Sequence, residues 1–110
     1  MIEDTLATLV DRFNRHAAQN PGLRQELAGL SRTILIRLTD EGQYAVDLKD
    51  GLLQGLRSTP PPKADVTITT DQATFLALIQ REIGPMKALV TRKLSIDGSL
   101  EDKLLFRRLL

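Results

Sequence analysis

A change of apolar period near residue 33 constrains this chain more than any other feature. From Thr33 the pattern alternates: Ile34, Ile36 and Leu38 share one side while Thr33, Leu35, Arg37 and Thr39 take the other, as a half-buried strand requires. Tyr44, Val46 and Leu48 repeat the alternation after the turn Asp40-Glu41-Gly42. Asp50-Gly51 then signals a second hairpin, with a weaker strand from Leu52 to Ser58. Pro60-Pro61-Pro62 cannot donate ladder hydrogen bonds, so the chain leaves the sheet edge there and travels before re-entering. Val66 and Ile68 form a fourth strand, and Leu94 and Ile96 a short fifth.

Helical periods surround this sheet. Ile2, Leu6, Leu9, Val10 and Phe13 predict an amphipathic helix over residues 2–15, and Asn20-Pro21-Gly22 ends that region before a short turn at Leu23, Leu27 and Leu30. Asp71 is placed as an N-cap for a helix with Phe75, Leu76, Ile79 and Ile83 as its stripe. Gly84 breaks that helix and Pro85 starts another, with Met86, Leu89 and Val90 facing inward. Ser99 followed by Asp102 reads as the capping signature of a last helix, Leu100 to Leu110. This order predicts an α+β sandwich with one sheet face covered. A sheet with one apolar face offers less surface than so many apolar helix stripes demand, which leaves some of that surface to face a space.

Composition narrows the function. The chain of 110 residues is one domain's worth, without cysteine, so it has no disulfide framework, thiolate metal site or redox pair. Fifteen Lys and Arg against fourteen Asp and Glu give a formal charge of +1, too little for a dedicated nucleic-acid binder. The amino terminus, Met1-Ile2-Glu3-Asp4, is acidic where a secretory signal is basic, and no apolar run approaches the roughly 20 residues of a membrane span, so a cytoplasmic protein is expected. The apolar fraction rests on Leu, Ile, Val and Ala, with Phe13, Phe75, Phe106 and Tyr44 as the aromatic residues, which makes an aliphatic, pliable core.

Catalytic machinery is scarce. His16 is the single histidine, near a helix end beside Arg15 and Gln19, and a Ser-His-Asp system would have to use it. No nucleophile elbow, phosphate-binding glycine loop, dinucleotide turn or zinc-peptidase helix motif is present. The carboxylate pairs Glu3-Asp4 and Glu101-Asp102 sit where helix dipoles favour them, and Asp40-Glu41 lies in a hairpin turn. Neither an enzyme nor a cofactor is expected. Gly98-Ser99 has a strand-to-helix geometry able to hold an anion, although capping alone explains Ser99. Arg81, Lys87, Arg92 and Lys93 cluster along the Gly84 junction, where a solvated helix face or attraction for an anionic headgroup would each explain them.

Several segments in order resemble a known family. Ala64-Asp65-Val66-Thr67-Ile68-Thr69, Asp71 opening a helix with Phe75-Leu76, Gly84-Pro85-Met86-Lys87-Ala88 and Lys93-Leu94-Ser95-Ile96-Asp97-Gly98 look like the sterol carrier protein 2 family. Tyr44-Ala45-Val46-Asp47-Leu48 with Asp50-Gly51 is similar to the same family's sheet. The chain departs from the family in having Gly84 where Asp often precedes the proline, and Arg92 where Gly often precedes the Lys-Leu strand. The resemblance implies a five-stranded, mostly antiparallel sheet with helices over one face, around an apolar tunnel that binds fatty acyl chains, acyl-CoA, isoprenoids or sterol-like lipids without covalent chemistry. It also implies a single lipid-binding domain over residues 1–110, and prokaryotic relatives that act as accessory proteins of ubiquinone biosynthesis.

Within such a tunnel, Phe75, Leu76, Ile79, Ile83, Met86, Leu89 and Val90 are expected to line the pocket, Ile36 and Val46 its floor, and Leu105, Phe106 and Leu109 its mouth. The last helix, with Arg107 and Arg108 opposite its apolar side, suits a lid over the pocket or a transient contact with an anionic membrane. The same apolar surfaces would also suit a homodimer or a docked biosynthetic enzyme. An empty pocket of about 300 Å³ would cost on the order of 7 kcal/mol, so an occupied, water-filled or partly collapsed pocket is expected.

Overall fold

The computed structural model describes residues 2–59 and 61–109; the side chains at 85 and 106–109 lie outside that description. Caps and periods produce ten elements: α1 (Ile2–Ala18), α2 (Pro21–Leu27), β1 (Ser31–Leu38), β2 (Gly42–Lys49), β3 (Leu52–Arg57), β4 (Val66–Thr70), α3 (Gln72–Ile79), α4 (Pro85–Val90), β5 (Leu94–Asp97) and α5 (Leu100–Leu109). The first helix runs to Ala18, past the end predicted at residue 15, with Arg15 and His16 in a last turn where positive charge suits the helix dipole. Asn20 caps α2 by accepting from the Leu23 amide at 3.1 Å, so Leu27 packs in the helix and Leu30 falls beyond it.

The strands order as β3-β2-β1-β4-β5. β1, β2 and β3 form the predicted meander, whereas β4 enters parallel to β1, with Ile34 opposite Val66 and Ile36 opposite Ile68. β5 returns antiparallel to β4, and the sheet is therefore mostly antiparallel. Asp65 secures the parallel entry: its amide donates to the Thr33 carbonyl at 2.9 Å and its carboxylate accepts from the Thr33 amide at 2.8 Å. Gly98 leaves β5 against this point, where a Cβ would meet the Asp65 carbonyl oxygen at 2.9 Å. Only glycine allows that approach.

Alternation divides the sheet as the sequence predicts. Ile34, Ile36, Leu38, Tyr44, Val46, Leu48, Val66, Ile68 and Leu94 belong to the buried core on the helical side. The other side carries Thr33, Arg37, Thr67, Thr69, Ser95 and the ion pair Arg57–Asp47 at 3.2 Å, around buried Leu35 and Ala45. Among the described residues no helix is long and apolar enough to cross a membrane.

Candidate functional site

The helices grip the sheet at its margins. α1 lies over edge strand β3 and against α2, while α4 packs on the opposite edge strand, β5. Between these two supports a cavity of ≈ 1220 Å³ lies over the central strands. Its floor is Ile34, Ile36, Val46, Leu48, Ile68 and Leu94. One wall is α1, through Leu6, Leu9, Val10 and Phe13; the other is α3 and the segment after it, through Phe75, Leu78, Ile79, Ile83 and Gly84.

Local chemistry sets each wall. On the α3 side, Asp71 caps the helix as its position predicts, with Oδ1 accepting from the Thr74 amide at 2.7 Å and Oδ2 from the Thr74 hydroxyl at 2.8 Å. Those hydrogen bonds hold the Asp71 carboxyl below the usual carboxylate range. Asp40, in the β1–β2 turn, accepts from the Gln72 amide at 2.9 Å and so ties the same helix start to the sheet. On the α1 side, the Asn14 side chain donates to the Leu53 carbonyl at 2.9 Å and accepts from the Leu53 amide at 2.8 Å. It completes the hydrogen bonding of an edge-strand residue whose backbone faces no further strand. Tyr44, buried beneath α1, donates to Glu3 Oε1 at 3.3 Å, and burial followed by the nearby Glu3 charge raises its phenol pKa.

β3 contributes a less obvious device. Leu53 and Leu56 both line the cavity, although residues three apart on a regular strand face opposite ways. The register of β3 against β2 shifts between Ala45 and Asp47, and Gly55 sits in that irregularity with φ +69°. The extra residue turns Leu56 back toward the cavity while Arg57 reaches Asp47 on the far face.

The predicted pocket residues separate into groups. Ile36, Val46, Phe75, Ile79 and Ile83 line the cavity. Leu76 and Leu89 are half-buried and outside its lining, and Met86 and Val90 are 51% and 75% exposed. The inward face of α4 is Ala88, fully buried where the short helix packs on β5, with Leu89 against the core beside it. Leu105 is buried beside a smaller pocket of ≈ 590 Å³ between α5 and the β1 entry, away from the large cavity. Phe106 and Leu109 fall among the side chains outside the described residues.

That α5 pocket has an ionic tether. Ser99 caps the helix by accepting from the Asp102 amide at 3.1 Å, but the Asp102 carboxylate, expected to serve the helix dipole, turns to Arg32 Nε at 3.0 Å. This hydrogen bond and charge raise the Arg32 pKa.

The α1 wall was not among the predicted lining residues. Its apolar period was visible, and counting it against a single sheet face would have placed it there. The cavity's polar lining is Arg12, Arg15 and His16 on α1, Gln19 just past its end, and Arg81 after α3. Of the basic cluster read along the Gly84 junction, only Arg81 reaches the cavity; Lys87, Arg92 and Lys93 are exposed outside it. Among the described residues no group of three or more histidines and carboxylates is placed to hold a metal ion.

Known structures share this architecture. The solution structure of palmitated SCP2L2 from Aedes aegypti aligns at TM-score 0.66 and 19% identity, covering 93% of this chain and 90% of that one. A UbiJ-SCP2 ubiquinone synthesis protein aligns at TM-score 0.65 and 12% identity over 92% of this chain and 89% of that one. The sec-alkylsulfatase Pisa1 from Pseudomonas sp. aligns at TM-score 0.63 and 25% identity over 79% of this chain, which spans only 14% of the sulfatase. No curated protein sequence matches the chain. The model of the SCP-2 sterol transfer family matches residues 11–110. With so little of the chain left outside that match, the protein belongs to the SCP-2 sterol transfer family.

Proposed function

We infer that this chain is a noncatalytic carrier that buries the apolar chain of a fatty acyl, isoprenoid or sterol-like lipid over the centre of its sheet. The observation that carries this reading is the ≈ 1220 Å³ cavity with aliphatic floor and walls. Left empty, such a cavity keeps its apolar walls against water or vacuum instead of packed carbon, which costs stability that a domain of this size has little of to lose. Water gains few hydrogen bonds from leucine, isoleucine and phenylalanine walls. A hydrocarbon gains about 0.8 kcal/mol for each methylene it hides there, before the costs of association. The palmitated relative with the same fold agrees with such an occupant.

Catalysis finds little support at the same place. His16 lines the cavity with arginines and a glutamine, and no carboxylate stands among the lining residues to orient it as a base. The domain acts by holding and releasing its cargo, and a partner enzyme or membrane performs whatever follows.

Displacement of a fluorescent fatty acid, followed together with light scattering, tests the carrier. Saturable displacement by unlabelled lipid from a monomer or dimer is the expected result. A tight dimer that ignores every lipid would replace the carrier with an interaction module.

A further inference from the structure

We propose that the outward face of α4 is a docking surface for an anionic lipid bilayer, with Met86 and Val90 entering the interface and Lys87 and Arg92 meeting lipid phosphates. The first support is the helix's own geometry. Met86 and Val90 are one turn apart and each more than half exposed, while Ala88 between them is fully buried. At about 100° per residue, the exposed pair stands on the side of α4 opposite the one that meets β5. An apolar pair therefore faces water on a helix whose other side is held in place.

Charge is the second support, and it selects the occupant. Residues 84–93 contain Lys87, Arg92 and Lys93 and no carboxylate, in a chain whose formal charge is +1 overall. All three cations are exposed, and among the described residues the side-chain ion pairs use Arg32 and Arg57 instead. Lys93 lies near enough to Asp71 to help hold that carboxyl low, which leaves Lys87 and Arg92 as the freer charges. Leu100 and Leu104 on α5 are exposed too, but exposed Glu101 stands beside Leu100, and an anionic surface repels it. Apolar side chains with a basic rim fit a bilayer of acidic phospholipids, where burial and attraction act together.

The closed end of α4 is the third support. The Lys87 carbonyl accepts from the Thr91 amide at 3.0 Å and the Thr91 hydroxyl at 2.7 Å, the Ala88 carbonyl from the Lys93 amide at 2.9 Å, and the Leu89 carbonyl from the Arg92 amide at 3.2 Å. These groups are satisfied within the protein, so they lose nothing when water leaves the face. Arg92 makes this closure at φ +62°, where glycine is favoured, and so retains a cation in a strained position. Ile83 and Gly84, just before the helix, line the large cavity, so a bilayer against α4 lies beside one of its walls. The docking surface itself does not depend on what the cavity holds.

Flotation of the full chain with vesicles tests the surface, comparing phosphatidylcholine alone with equal parts of phosphatidylcholine and phosphatidylglycerol. The wild type is expected to partition at least about tenfold more strongly into the mixed vesicles at low salt, a preference that high salt largely removes. Lys87→Gln and Arg92→Gly should each lower that partition roughly fivefold. Arg92→Gly suits the left-handed backbone, so its loss of binding is not a loss of fold. Met86→Gln/Val90→Ser should weaken binding while the preference for anionic vesicles persists. Lys63→Gln and Leu100→Ser, exposed positions off α4, should leave the partition unchanged. Equal partition into both vesicle types, or none into either, overturns the proposal. So does a loss through Leu100→Ser with Met86→Gln/Val90→Ser unaffected, which places the contact on α5.

Discussion

Single residues show how far one-dimensional signals reach. Asp71 was legible as a cap, and its two bonds to Thr74 have a pH consequence. Its folded pKa is depressed, so its stabilisation is fully present above the unfolded carboxylate value and is lost as pH falls through the lower folded one. Asp71→Asn retains an acceptor but not the titration. Thermal melts between pH 5 and about pH 2.5 should therefore show a shallower acid loss in this variant than in the wild type. Arg92 offers the opposite lesson. The family pattern places glycine there, and the structure supplies the reason: Arg92 adopts φ +62° at the end of α4. Arg92→Gly should stabilise the protein by about 0.5–1 kcal/mol, the relief of the left-handed strain less the entropy that glycine adds to the unfolded chain, as read from urea midpoints. Gly55 was seen only as part of a weak strand. Its bulge depends on register against β2, which the residue's own neighbours do not encode.

Elements were easier to find than to place. Caps, breaks and periods located the helices and strands found among the described residues, because those signals act within a few residues. What they could not specify is which helix face meets the sheet and where. α4 was expected to send Met86, Leu89 and Val90 inward; Leu89 does pack against the core beside buried Ala88, whereas Met86 and Val90 face outward. α1, read only as amphipathic, became a full wall of the cavity. Its docking depends on Asn14, a polar residue that no periodicity marks, because its partner is the Leu53 backbone 39 positions away. Asn14→Ala leaves that amide and carbonyl without their partner and should cost about 1–2 kcal/mol in denaturant melts. Since α1 also bounds the cavity, the same variant should release bound fluorescent fatty acid several-fold faster. Unchanged release with the lost stability would mean that cargo leaves by another wall.

For the molecule as a whole, the cavity couples function to stability. A domain that leaves ≈ 1220 Å³ between its layers gives up packing that other domains of its size use. Cargo restores those contacts and binds the folded state alone. Palmitate at about 100 times its dissociation constant should add roughly 2.7 kcal/mol, which for a domain of this length raises Tm by roughly 10–20 °C. Hexadecanol at the same multiple should raise it equally, because linkage depends on saturation and not on the head. The fold class was open to prediction because one apolar sheet face and several apolar helix stripes imply a layered sandwich with surplus apolar surface. The volume of the resulting space was not, since it depends on how α1 seats on β3 and α4 on β5, contacts between residues far apart in the sequence. The most direct test is methyl NMR with a stearate that carries a nitroxide near the end of its chain. Residues Ile34, Ile36, Val46 and Ile68 should broaden on the cavity floor while Leu35, on the reverse of the same sheet, stays sharp. Broadening confined to Met86, Val90 and Leu100, or none at all, would contradict an internal berth for the lipid.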